Sequence, residues 1–114
     1  MQAPHIGTID RMYEAPEENA AKFDYIGQEE RAMYAGTIDT LDQATGVVVE
    51  ALYEKNMLEN CLIVFSSDNG ASVPRSGSNW PLRGVKHTLW EGGVRVPAFV
   101  WSPMLDKEAS SLGI

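Results

Sequence analysis

A single cysteine, Cys61, occurs in the 114 residues, which excludes an internal disulfide and any zinc site assembled from several cysteines. No apolar run approaches the roughly 20 residues needed to cross a bilayer. The first residues also lack the charged-then-apolar order of a signal peptide, so a leader, if the protein is exported, is expected upstream of Met1. Basic residues are scarce: nine Lys plus Arg stand against sixteen Asp plus Glu, a formal charge of −7 at pH 7. That balance argues against nucleic acid or an anionic membrane as the main partner. An anionic substrate would have to be drawn by a few local cations, or a metal, against the field of the whole chain. There is no internal repeat and no low-complexity segment.

What remains is the material of one modest domain, with 44% hydrophobic residues, enough for a single core. The chain opens on Met-Gln-Ala-Pro-His without a helix cap and stops at Leu-Gly-Ile without a closing element, as expected of a piece of a larger domain. Residues 1 to 27 show no sustained periodicity and read as a surface loop, with a helical turn near Pro16 to Lys22, where proline suits a first helical position. From Gln28 to Lys55 the positions Tyr34, Ile38, Leu41, Thr45, Val48 and Leu52 recur every three or four residues. This spacing predicts a long amphipathic helix with Asn56 as its stop. Cys61 to Phe65 and Pro97 to Trp101 are unbroken β-prone runs that predict strands buried on both faces. A long helix followed by such a strand predicts an α/β fold with a mostly parallel sheet.

In open α/β sheets ligands collect beyond the carboxyl ends of strands, and the polar pair Asp68-Asn69 stands directly after the first run. An aspartate and an asparagine offer hard oxygen ligands suited to Ca²⁺ or Mg²⁺. Asp, Asn and Gly are also ordinary turn residues, so the tripeptide alone favours a plain turn.

The longer series is more specific. Asp68-Asn69-Gly70 is followed by Asn79-Trp80-Pro81-Leu82-Arg83-Gly84, by Lys86, and by Leu89-Trp90-Glu91-Gly92-Gly93-Val94-Arg95-Val96-Pro97. In this order the elements resemble the sulfatases, and the second and last resemble the arylsulfatase B-like group (the N-acetylgalactosamine-4-sulfatase type). The resemblance covers nearly the whole chain, most strongly Tyr34 to Pro103. It implies that residues 1–114 are the later part of a sulfatase catalytic domain with an alkaline-phosphatase-like α/β/α sandwich. It further implies hydrolysis of sulfate monoesters of aryl groups or sugars, dependence on calcium, and a lysosomal or secreted location.

By the same resemblance Asp68 and Asn69 match calcium ligands, and Lys86 matches the lysine that holds the sulfate ester. Gln2-Ala3-Pro4-His5 resembles the end of a preceding strand, which makes His5 the group that binds the sulfate or protonates the departing alcohol, chemistry suited to imidazole. The sequence departs from the family at Gly7, where a proline usually stands. His87 either touches substrate or faces water. Glu91, Gly92, Gly93 and Arg95 read as scaffold, with Arg95 pairing an acid. Trp80 and Trp90 read as packing residues, or as walls of a sugar or aryl pocket.

The formylglycine nucleophile of sulfatases arises from a cysteine in Cys-x-Pro-x-Arg. Cys61 is followed by Leu62-Ile63-Val64 and reads as structural. The early acidic calcium pair and the Lys-x-His element are also absent from these residues, so the chain alone is expected to be inactive. A second reading is a non-catalytic product that binds sulfated glycans or a partner through the retained half-site. A third is a phosphoester hydrolase of the wider superfamily, which would share Asp-Asn-Gly but not Lys86 and Glu91 to Pro97 in this order. Oligomeric state and the particular ester are not legible.

Overall fold

The computed structural model describes residues 14–72 and 77–105. In chain order these form α1 (Glu17–Ala21), a 3₁₀ turn (Asp24–Ile26), α2 (Glu29–Glu54), a second 3₁₀ turn (Leu58–Asn60), β1 (Ile63–Ser66), α3 (Glu91–Val94) and β2 (Ala98–Trp101). They divide into two compact units, one of residues 14–47 with 77–78, the other of residues 48–72 with 79–105.

The helix expected from Gln28 to Lys55 is α2, and the turn expected near Pro16 is α1, with Pro16 as its N-cap. Glu29 and Glu30 occupy the first turn of α2, where their charge suits the positive end of the helix dipole. Asn56 ends the helix with φ 54°. Its N–H donates to the Tyr53 carbonyl at 2.9 Å, and the Met57 N–H reaches the Leu52 carbonyl at 2.9 Å. This pair of bonds is the Schellman closure, with asparagine in the left-handed position that glycine usually fills.

In the first unit the fully buried positions of α2 are Ala32, Gly36 and Thr37, while Tyr34, Leu41 and Thr45 of the predicted stripe are half-buried. Ile38, expected on the buried face, is 49% exposed. Full burial falls where α1 approaches, at the small residues: a Cβ on Gly36 would lie 2.8 Å from the Ala20 Cα. Asn19, buried to 1% exposure, donates its side-chain amide to Asp39 Oδ2. The same oxygen accepts from Lys22 Nζ at 2.7 Å and from Gln43 Nε2 at 3.0 Å. Asp39 is thus the polar tie between α1 and α2.

The Asp39 carboxyl is held below its ordinary range by the Lys22 hydrogen bond first and the Asn19 bond second, with partial desolvation opposing them. A lowered folded-state value means that the ionised form stabilises the native state. That contribution is complete once the unfolded-state carboxyl is ionised, above about pH 5, and is lost as pH falls through the ordinary value of about 3.9 towards the lowered folded one. In urea titrations from pH 6 to pH 2.5, the unfolding midpoint of the native chain is expected to drop more steeply than that of Asp39→Asn. Parallel curves would remove Asp39 from the acid response.

In the second unit β1 and β2 pair antiparallel, with Ile63 opposite Trp101, Val64 opposite Val100, Phe65 opposite Phe99 and Ser66 opposite Ala98. The Phe65 and Phe99 rings stack at 5.2 Å with 8° between planes. The Ser67 N–H extends the ladder to the Pro97 carbonyl at 3.1 Å. The α/β class holds, while this pair corrects two expectations. Its strands run antiparallel because the connection between them turns back through loops and a single helical turn instead of a long crossover helix. They are not buried on both faces: β1 alternates half-buried and exposed residues, and β2 is exposed throughout. Leu62, Val64, Phe99 and Val100 are each more than half exposed, because no described element covers either face of the pair. Cys61, half-buried and free, precedes β1.

Candidate active site

The loops between β1 and β2 hold three of the four predicted site residues. His5, the fourth, lies outside the described residues. Asp68 and Asn69 follow β1 directly, at the strand end where the sequence placed them. Asp68 is exposed and Asn69 half-buried. The Asn69 Nδ2 donates to the Gly70 carbonyl at 2.9 Å, which fixes the amide plane and leaves Oδ1 as the atom that could take a cation. The Ser67 hydroxyl lies 3.5 Å from Asp68 Oδ1.

Beyond this pair the chain is cross-tied at backbone level. The Gly70 N–H donates to the Gly93 carbonyl at 3.0 Å, and the Gly92 N–H to the Arg83 carbonyl at 2.7 Å. Such contacts need residues without side chains. A Cβ on Gly70 would overlap the Gly92 carbonyl, one on Gly92 the Gly84 carbonyl, and one on Gly93 the Thr88 carbonyl. The glycines read from sequence as turn-formers therefore act chiefly by letting three loop segments touch. Only Gly84, at φ 92°, is also required for its backbone angle.

Asn79 is the residue that sequence reasoning left without a role. Its Oδ1 accepts from the Ala71 N–H at 2.7 Å, while its Nδ2 donates to the Ala71 carbonyl at 2.9 Å and the Gly84 carbonyl at 3.2 Å. A side-chain amide carries both a donor and an acceptor, so it can pair a backbone unit as a neighbouring strand would. Its place at the head of Asn-Trp-Pro-Leu-Arg-Gly was the available signal.

Lys86 enters through the same residue. Its N–H donates to the Ala71 carbonyl at 3.1 Å, so its backbone is pinned two residues from Asn69. The turn that carries it is closed by Thr88, whose N–H donates to the Val85 carbonyl at 3.0 Å. Thr88 Oγ1 also donates to that carbonyl at 2.6 Å and accepts from the Val85 N–H at 3.1 Å. Asp68, Asn69 and Lys86 are thus carried on loops tied together by Ala71, with Lys86 half-buried.

Around them, Arg95 pairs Glu91 at 3.1 Å across one helical turn, as expected of scaffold, and both partners are exposed, where such pairs contribute little. Neither tryptophan is a packing residue of a core. Trp80 is 87% exposed, and Trp90 carries the Arg83 guanidinium over its face at 3.7 Å, a cation–π contact.

Chemically, an exposed carboxylate and an oriented amide oxygen suit a hard divalent cation, and an ammonium such as that of Lys86 suits an anion. The fit to a cation is partial. Among the described residues no group of three or more His, Cys, Asp or Glu side chains converges as a metal site. Two protein ligands are well short of the roughly 6 to 8 oxygens that calcium takes. No described helix is long and apolar enough to cross a membrane.

Comparison with known proteins places this arrangement. Residues 2–111 match the Sulfatase family. Over 80 residues the chain is 45% identical to arylsulfatase J of Mus musculus, covering 70% of this chain and 13% of that protein. Over 83 residues it is 34% identical to N-acetylgalactosamine-6-sulfatase of Homo sapiens, covering 69% of this chain and 16% of that protein. The crystal structure of Ps i-CgsB in complex with k-i-k-neocarrahexaose superposes with a TM-score of 0.79 at 39% identity, over 90% of this chain and 22% of that one. The described elements are accordingly a segment of the alkaline-phosphatase-like α/β fold.

Proposed function

Because this chain belongs to the sulfatase family, we propose that it supplies the later part of a calcium-dependent sulfatase site of the arylsulfatase B-like type, acting on sulfate monoesters of sugars or aryl alcohols. The observation that carries this reading is the tie through Ala71, which holds Lys86 beside the Asp68-Asn69 strand end. Two names among the relatives favour a sugar ester: one cleaves a sulfated N-acetylgalactosamine, and Ps i-CgsB is seen with k-i-k-neocarrahexaose. A lysosomal or secreted location follows the same resemblance.

Asp68 and Asn69 would hold Ca²⁺ through their side-chain oxygens. When bound, the metal would supply positive charge to the sulfate oxygens. Lys86 binds and orients the anionic ester and stabilises the charge that builds on the leaving oxygen as the S–O bond breaks. His5 binds the sulfate or passes a proton to the leaving alcohol. The nucleophile is not among these residues, since no Cys-x-Pro-x-Arg occurs in the sequence, so the 114 residues alone carry half of a site.

The test is turnover of 4-nitrophenyl sulfate by the 114-residue chain and by a complete sulfatase containing it. We expect none from the former. In the latter, Asp68→Ala should weaken calcium binding, read by titration with a calcium-selective dye, by about tenfold or more as a charged ligand is lost. Hydrolysis by the isolated chain that Lys86→Ala abolishes would overturn the half-site reading. An unchanged calcium affinity in Asp68→Ala would remove the metal role.

A further inference from the structure

The turn that presents Lys86 contains a residue in a conformation that ordinary side chains avoid. Val85 to Thr88 is closed by the Thr88 N–H bond to the Val85 carbonyl. His87, its third residue, has φ 72°. Lys86, its second, is not among the positive-φ residues, so the turn has the type II pattern, whose third position glycine ordinarily fills. The loop does use glycine at its other positive-φ position, Gly84 with φ 92°. The other described non-glycine residue at positive φ is Asn56, which ends α2 and is of a type that tolerates the left-handed region. His87 caps nothing.

A side chain held in a sparsely populated backbone region persists when its surroundings over-determine it, and such positions gather at ligand clamps. The surroundings here are specific: Thr88 Oγ1 bonds both the N–H and the carbonyl of Val85, and the Lys86 N–H is tied to the Ala71 carbonyl. The imidazole itself is exposed and follows the half-buried lysine directly. From this geometry, and resting on the sulfatase reading above, we infer that His87 is a substrate-contacting residue, whose imidazole N–H donates to the sulfate ester held at Lys86. Its backbone fixes it as the residue after Lys86 in the same closed turn, a second donor for an anion that carries several acceptor oxygens.

The test is an NMR titration of the whole 114-residue chain with 4-nitrophenyl sulfate, followed at the Lys86 and His87 amides, with urea unfolding in parallel. His87→Gly should unfold at higher urea than the native chain, because the strain is relieved, and bind the ester about tenfold more weakly. His87→Asn, which tolerates the same backbone angle, should keep native stability and also bind more weakly. A merely structural histidine would show the stability gain in the glycine variant with binding within twofold of native in both, which would overturn the inference. If Lys86→Ala abolishes binding while both His87 variants bind normally, this inference fails and the sulfatase reading stands. If the native chain shows no shift at either amide, this inference is overturned, while the sulfatase reading, which rests on the family match, stands.

Discussion

Gly70→Ala is expected to lower the stability of the second unit by about 3 kcal/mol, the upper end of the usual cost of overpacking. The added methyl group would overlap the Gly92 carbonyl, and a backbone oxygen held by its own chain cannot swing away as a flexible side-chain tip can. Relief requires that the Asp68-Asn69-Gly70 turn part from the Glu91–Val94 turn, which breaks the bond from the Gly70 N–H to the Gly93 carbonyl. Gly70 is not at positive φ, so the cost comes from lost space and not from a forbidden backbone angle. Hydrogen exchange is the direct measurement. Protection of the Gly70, Ala71 and Lys86 amides should fall together, while the α1–α2 contacts around Asp39 keep theirs. Equal protection in the variant would show that these loops yield more easily than the close approach of their carbonyls implies.

In a complete sulfatase carrying these residues, Lys86→Ala is expected to reduce turnover of a sulfate monoester by roughly 10²- to 10³-fold, or about 2.7–4 kcal/mol of transition-state stabilisation. The lysine is pinned at its backbone by Ala71 and sits in a turn closed twice by Thr88, so the point from which its side chain reaches is held in place. Lys86→Arg should not restore the rate, because a planar fork replaces a compact point charge. Removing the group should lower kcat and kcat/KM together if it acts mainly on the transition state, whereas a rise in KM alone would mark a ground-state contact. Turnover within a factor of three of native would exclude Lys86 from the chemistry. The two substitutions differ in kind: Gly70→Ala should act on the frame and be visible in the unliganded chain, while Lys86→Ala should leave amide protection near native.

How much of this was legible differs between the helices, the strands and the site. The long helix was readable to within a residue at each end, because acidic residues at its start and Asn56 at its stop are local signals. Its stripe at Tyr34, Leu41, Thr45, Val48 and Leu52 is half-buried as read, but the full burial at Ala32 and Gly36 was not legible, because it depends on α1 arriving at the small residues. The strands were placed correctly and their surroundings incorrectly. Continuous hydrophobicity at Cys61–Phe65 reports what a strand can bury, and no described element lies on these two. At the site, residue type and order led to Asp68, Asn69 and Lys86, and the structure sets all three on loops between β1 and β2. Asn79 and Thr88 were passed over, because a side chain that hydrogen-bonds backbone groups leaves no period and no charge pattern.

The sequence by itself determined the elements and the family resemblance, since these depend on local propensity and on the order of residue types. Only the tertiary structure decided that the strand pair runs antiparallel, that Asp39 ties α1 to α2, and that four glycines serve contact more than turning. It alone decided that Lys86 and His87 share a turn clamped by Thr88 and anchored on Ala71. The physical reason is that these features are made by backbone atoms distant in sequence, where the side chain's part is to be absent or to bond a carbonyl that any residue could have provided.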